Sequence, residues 1–288
     1  PNLTSFFGKL DKKFRALRKN PDYNLQEYKR LAEEVREKII KPVTVRRTRS
    51  DIESIPRYNK DINGFPKVER PKEKRYELNE HLADLFEKTV DHLTKDVQYA
   101  RYQAVAGLKK KKSEGLYDNV ELISKSLANI RKTGLVKRLE SSFHAFKLSL
   151  DNFCQANQNM INMFMKGKIF IAPDMDINHL YEKGLSDDEI EERLNKKAED
   201  NPKNAIFIPD DFKPEFLDSL KSDQKVIEQM VADWKDVTEK DDSKFDCFND
   251  LLKHELFCKT INPEQKLVVF SESLDTVKYL VKRINRKD

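Results

Sequence analysis

Between Val136 and Phe164 the apolar residues Val136, Leu139, Phe143, Phe146, Leu150, Phe153, Met160 and Phe164 recur at alternating steps of three and four, with Asn157 filling the one gap. That is a seven-residue repeat carried over about eight helical turns. No Pro interrupts it, and its helix-weakening residues lie on the other faces. The spacing predicts one long helix with a seam of aromatic and aliphatic side chains. Water does not tolerate such a seam, so other helices must cover it. The seam by itself implies a bundle core and no activity. Lys137, Arg138, Ser141 and Ser142, at the start of this helix, are the residues that invite a functional question.

The remaining composition agrees with a helical chain. Charged residues make up 36% of the 288 positions, and only 7 are Gly. That mix favours helices with broad solvated faces over sheets joined by tight turns. No apolar run approaches a membrane span and no signal peptide is visible, so no membrane partner and a cytoplasmic location are expected. Three Cys do not make a disulfide framework, which suits a reducing compartment. Cys247, His254 and Cys258 are of metal-ligating type, but a zinc site needs a fourth ligand and usually a tighter Cys pair. No metal site is expected. Pro1 stands where an initiator Met would, which suggests trimming or a piece of a longer protein.

Charge is unevenly spread. Residues 1–79 hold 21 Lys and Arg against 12 Asp and Glu, whereas residues 172–262 hold 13 against 24. A basic half beside an acidic segment suggests one surface able to meet a polyanion and another that repels it.

In chain order, Phe6, Phe7, Leu10, Phe14 and Leu17 mark a basic amphipathic helix, broken at Asn20-Pro21-Asp22. A second helix is expected from Leu25 to Ile40, stopped by Lys41-Pro42. Val43–Ile52 then reads as a short extended piece. Arg46, Arg47 and Arg49 there present planar donor forks suited to phosphates, or equally to acidic neighbours. Pro56, Asn63-Gly64, Pro66 and Pro71 make residues 54–79 linker-like, ending in a short strand at Lys74–Leu78. A helix is expected from Glu80 to about Ala106, followed by Lys109, Lys110, Lys111 and Lys112, a solvated run that is also a candidate for nucleic-acid contact.

Beyond the central helix, Lys168–Ala172 and Ala205–Ile208 are brief apolar runs. Ser186-Asp187-Asp188-Glu189 is a capping box that opens an acidic helix to about Glu199. Pro214 suits a first helical turn, and Phe216, Leu220, Ile227, Val231 and Trp234 follow at helical spacing, with Trp234 a core anchor. A shorter helix follows at Phe245–Leu256. Lys266–Phe270 reads as a compact apolar strand, buried on both faces if parallel. Ser271-Glu272-Ser273 turns the chain, and Leu274–Ile284 is an amphipathic helix. A single strand–helix unit is only the opening of an α/β domain, so the C-terminus looks cut.

No complete active site is legible. A phosphate-cradling loop needs clustered Gly ahead of Lys and Ser or Thr, and neither Gly8-Lys9 nor Gly167-Lys168 qualifies. The five His are scattered, and His144 beside the seam reads as a packed residue. No catalytic residue is assigned.

Three stretches, in order, resemble one family. Lys41–Asp51 (KPVTVRRTRSD) resembles the basic segment that ends the first motor lobe of SWI/SNF-type, superfamily-two helicase-like ATPases. Lys137–Ser142 (KRLESS) with Phe143–Leu150 resembles the KR-x-x-SS…A-F…S-L helix that bacterial and archaeal members carry between the lobes. Lys266–Leu280 (KLVVFSESLDTVKYL) resembles the first strand and helix of the second RecA-like lobe, with Ser271 and Glu272 in the motif IV loop. The likeness is loose over residues 168–262.

The resemblance implies residues 1–53 as the tail of lobe one, 54–79 as a linker, 80–262 as a helical insertion and 263–288 as the start of lobe two. It implies an inter-lobe region of a hydrolase that steps along double-stranded DNA. Backbone contacts would come from the basic candidates Arg46, Arg47, Arg49, Lys109–Lys112, Lys137 and Arg138, and the flanking lobes would be partners within the same chain. ATP and magnesium would serve the intact parent. Walker A, Walker B and the arginine-bearing motif would lie outside these residues, leaving this piece inactive alone. The expected fold is mainly α, a bundle around one long helix with a short strand–helix α/β stub at the C-terminus. Two rivals remain: a protein-interaction scaffold that uses its acidic helices at 187–199 and 214–239, and a self-contained enzyme built on the Cys/His group.

Overall fold

The computed structural model describes residues 3–18, 25–45, 48–60, 65, 68–114 and 119–285. The protein is mainly α-helical, and it divides into two compact units, Pro1–Glu73 and Lys74–Asp288.

In the first unit, α1 (Leu3–Arg18) and α2 (Leu25–Val35) pack through Leu10 and Leu31, both buried, and an edge-on contact of Phe14 with Tyr28 at 5.1 Å. The expected break at Asn20–Asp22 lies outside the described residues. Pro42 does not stop the second helix. A wide π-type turn, Arg36–Ile40, leads into α3 (Lys41–Val43), where Pro42 occupies a first-turn position and its missing N–H is not needed. The chain then extends at Thr44. Thr48 and Asp51 form a reciprocal capping box that opens α4 (Arg49–Ser54), and α5 (Pro56–Asn59) follows.

The second unit is built on the heptad seam, but not as one helix. α9 (Val120–Ser141) ends where α10 (Phe143–Lys166) begins. These are preceded by α6 (Glu80–Asp91), α7 (Ala104–Gly107) and α8 (Lys110–Ser113). Ser142 alone is extended, at φ −164° and ψ 149°, and its hydroxyl accepts the Ala145 N–H at 3.1 Å. The serine hydroxyl gives a partner to a donor that the break would otherwise leave orphaned, and so competes with helix continuation. The break also lets α9 fold back. Arg131 donates to the Ser149 carbonyl at 3.3 Å and lies over the Phe153 ring. Val136 and Leu139 therefore serve α9, and the seam of α10 starts at Phe143.

After α10 come β1 (Ile169–Ile171), α11 (Ile177–Glu182), α12 (Asp187–Asp200), β2 (Ala205–Phe207), α13 (Glu215–Asp233), α14 (Ser243–Leu251) and α15 (Leu274–Ile284). The two brief apolar runs pair with each other, antiparallel, with Ile169 opposite Phe207 and Ile171 opposite Ala205. The capping box at Ser186 and Glu189 forms as expected. α13 runs antiparallel along α10: Trp234 packs on Phe143 and Phe146, and Phe216 on Phe164.

α10 passes through two apolar clusters. One holds Leu82, Leu135, Phe146, Phe153, Ile227 and Trp234; the other holds Met160, Phe164, Phe170, Leu194, Phe207 and Leu220. Each fully buried side chain of this kind contributes roughly 1.5–3 kcal/mol. Asn157, the gap in the heptad, is fully buried where the clusters meet. Its amide donates to the Leu220 carbonyl and to Gln224 Oε1, both at 3.0 Å. Trp234 Nε1 donates to Thr89 Oγ1 at 2.8 Å, so the core anchor is also satisfied as a donor.

Three further expectations are corrected. The helix from Glu80 ends in a π-type turn at His92–Asp96 and does not reach Ala106. Tyr99 is left-handed at φ 58°. Buried Asp223 of α13 explains that break, because its two oxygens accept the Gln98 and Ala100 N–H groups at 2.7 Å each. Lys74–Leu78 is irregular, as is Lys266–Phe270. Among the described residues neither has a strand beside it, and an unpaired strand cannot satisfy its own backbone. No helix among the described residues is long and apolar enough to cross a membrane.

Phe153→Ala is expected to cost about 3–5 kcal/mol, measured by urea denaturation. Burial outweighs the backbone donors at Asp223 and raises its carboxyl above the usual range. The folded state thus holds that proton more tightly than the unfolded chain. Its contribution is full below the unfolded value and falls as pH rises through the folded one. The stability of the wild type relative to Asp223→Asn should accordingly decline with rising pH across that window and then level off.

Candidate functional site

The basic candidates do not form one free patch. Arg46 and Arg47 lie outside the described residues. Arg49 opens α4, with its guanidinium 5.4 Å from the centre of the Phe65 ring. Lys109 donates to the Asp210 carbonyl at 2.6 Å and Lys112 pairs with Asp211 at 3.0 Å, so half of the lysine run is folded onto the Pro209–Asp211 turn. Lys110 and Lys111 are exposed and have no ion-pair partner among the described residues. Lys137 and Arg138 are drawn into a different arrangement.

That arrangement centres on the corner at Ser142. The last turn of α9 presents Lys137, Arg138 and Ser141, and all four residues of the KR-x-x-SS pattern meet one short turn, Glu272–Thr276. Lys137 reaches Glu272 at 3.1 Å. Arg138 Nη1 donates to Ser273 Oγ and to Asp275 Oδ2, both at 2.7 Å. Thr276 Oγ1 lies 2.9 Å from the hydroxyls of both Ser141 and Ser142. Ser273 is the N-cap of α15 and accepts the Thr276 N–H. One corner therefore fixes where α15 starts and how it points.

α15 is then held along its length. The Tyr279 hydroxyl donates to Asp242 Oδ2 at 2.7 Å, and Arg283 donates to the same hydroxyl at 2.8 Å. Asp242 is itself the N-cap of α14, accepting the Phe245 N–H. The His144 ring stacks on Tyr279 at 4.9 Å, and the Arg283 guanidinium lies 3.6 Å from the centre of the Phe245 ring. Lys244 donates to the Glu140 and Ser141 carbonyls, covering the free end of α9. Burial, and then the bond to the Asp242 carboxylate, push the Tyr279 phenol above its ordinary range. A groove of about 510 Å³ opens beside the corner, walled by Ser141, Lys244, Phe245, Phe248 and Phe270.

The helix sits with its polar face inward. Ser273, Thr276, Tyr279 and Arg283 face the bundle, while Leu274 and Phe270 are 64% and 91% exposed, and Val281 and Ile284 are also exposed. The motif IV candidates Ser271 and Glu272 both take part in this turn, Ser271 Oγ accepting the Ser273 N–H at 3.2 Å.

Sequence reasoning missed Asp242, Lys244, Thr276, Tyr279 and Arg283. A readable signal was present in the polar positions Thr276, Tyr279 and Arg283, which lie at three-and-four spacing beside the apolar stripe. Cys247 and Cys258 are apart in role: Cys247 Sγ faces the Arg75 carbonyl, and Cys258 Sγ meets Thr260. Among the described residues no group of three or more His, Cys, Asp or Glu could hold a metal ion.

Tyr279→Phe removes the hydroxyl between Asp242 and Arg283 and leaves a buried carboxylate short of a donor. The expected cost is about 1–3 kcal/mol, read as a lowered urea midpoint with unchanged helical content.

No family model, curated protein or solved structure matches the chain.

Proposed function

We propose that the protein is the inter-lobe helical region of a SWI/SNF-type DNA translocase or helicase, with the bundle coupling lobe motion to grip on DNA. One observation carries the reading. Two motifs noted separately in the sequence, KR-x-x-SS and the turn after K-L-V-V-F, lie 135 positions apart at Arg138 and Ser273 yet are joined by a direct hydrogen bond. The outward apolar face of α15 and the bare residues Leu267–Phe270 also suit the opening strand and helix of a second lobe, whose further layers would cover them. Residues 1–53 would be the tail of lobe one and residues 54–79 the linker.

ATP and magnesium belong, on this reading, to the parent's lobes. The residues present do not fit a nucleotide. Gly8-Lys9 lies within α1, and Gly167 is the left-handed cap that ends α10, so neither forms a loop able to cradle phosphates.

DNA contact would be to the backbone, sequence-independent and salt-sensitive. Lys110 and Lys111, like Arg49, are exposed candidates with no ion-pair partner among the described residues. The test is binding to a fluorescent duplex across a salt series. A Kd on the order of micromolar at low salt, weakening steeply as salt rises, is expected. Lys110→Glu with Lys111→Glu should weaken binding and reduce the salt slope by about 2. No binding at low salt, or binding indifferent to salt, would contradict this reading.

A further inference from the structure

We propose that α15 and the turn before it form a releasable strap, closed on the bundle by a polar clasp that can open while the bundle stays folded. The proposal rests on the reading above of residues 266–284 as the leading strand and helix of a second lobe, and it says how that unit is coupled to the bundle.

The contrast between two interfaces carries the argument. α10 and α13 are joined by buried aromatic and aliphatic side chains, including Phe146, Phe164, Phe216, Ile227 and Trp234. Separating them would expose a large apolar area and unfold the unit. α15 is joined to the same bundle by charge and hydroxyl contacts: Lys137 with Glu272, Arg138 with Asp275, Ser142 with Thr276, and Tyr279 with Asp242. Water can replace each of these polar partners, and the buried ring that opening would expose is that of Tyr279, set on His144 and Phe245, a smaller apolar area than the α10–α13 seam.

The ion pairs are also half-exposed, with the Arg138 and Asp275 side chains at 36% and 33% exposure. The Lys137–Glu272 pair is more exposed, at 56% and 78%, and salt screens exposed pairs more than partly buried ones. Of the apolar stripe of α15, Leu274, Val281 and Ile284 are exposed and do not oppose release, while Val277 and Leu280 are half-buried.

A strap also needs a fixed end. Asn262 supplies it, its amide donating to the Leu256 and Lys266 carbonyls at 2.9 Å each. Gln265 beside it is left-handed at φ 50°. Between this anchor and the clasp, residues 266–270 have no strand partner among the described residues. The segment is thus pinned at one end, unpaired in the middle and clasped at the other.

The test is hydrogen–deuterium exchange on the whole chain without nucleic acid, at low salt and at about 1 M NaCl, where the screening length falls to roughly 3 Å. The α15 amides are expected to exchange about tenfold faster at high salt and in Asp275→Asn. The α10 and α13 amides should stay protected, which shows that the variant is folded. The reversed pair Arg138→Glu with Asp275→Arg should return α15 to slow exchange at low salt. Exchange of α15 together with α10 as one unit, or an α15 rate indifferent to salt and to Asp275→Asn, would overturn the strap. DNA binding with α15 fused to the core would sink the strap alone. A strap that opens in a chain that binds no DNA would sink the translocase reading alone.

Discussion

The hydroxyl of Ser142 is the interaction on which the rest depends. By capping the Ala145 N–H it ends one helix and starts another within a single residue. Without that break, Val120–Lys166 would be one continuous rod, and the seam would have to be covered from elsewhere. With it, α9 folds back and covers part of the seam itself. The same corner turns Lys137, Arg138 and Ser141 outward to meet the start of α15, so packing and docking share one cause.

The second constraint is the handling of buried polar groups. Asn157 and Asp223 are both essentially out of solvent. Asn157 joins α10 to α13 between two apolar clusters, and Asp223 holds the left-handed turn at Tyr99 by two backbone bonds. Removing either partner would strand a buried group, which costs more than the bond itself contributes. These two residues set the register of α13, and thereby the position of Trp234 over the corner's first aromatic residues.

Much of this was legible in the sequence. Periodicity located the seam, α1, α13 and α15, the capping box located α12, and the two brief apolar runs became β1 and β2. The serine-and-basic pattern at residues 137–142 was singled out in the sequence, although the partners that it meets in the fold were not. What failed did so for physical reasons. A hydrophobic repeat reports which face is buried but not whether the backbone is continuous, so Ser142 was read through. The early end at His92–Asp96 depends on a carboxylate far along the chain, which no local window contains. Lys266–Phe270 has the composition of a strand, but a strand is a property of a pair, and no partner lies beside it among the described residues. Of the clasp residues, Tyr279 and Arg283 showed only as polar positions at helical spacing, and Asp242 is an ordinary polar residue until the fold brings the three together.

The central claim is that the KR-x-x-SS corner and the opening of α15 are energetically one site. The most direct measurement is a double-mutant cycle of Arg138→Ala and Asp275→Ala, read as the opening free energy of the α15 amides by hydrogen exchange. The account predicts a coupling of about 1 kcal/mol or more, with the double variant losing less than the sum of the singles. Effects that add to within about 0.3 kcal/mol would mean the two residues act independently, and the corner would then be a packing feature with no hold on α15.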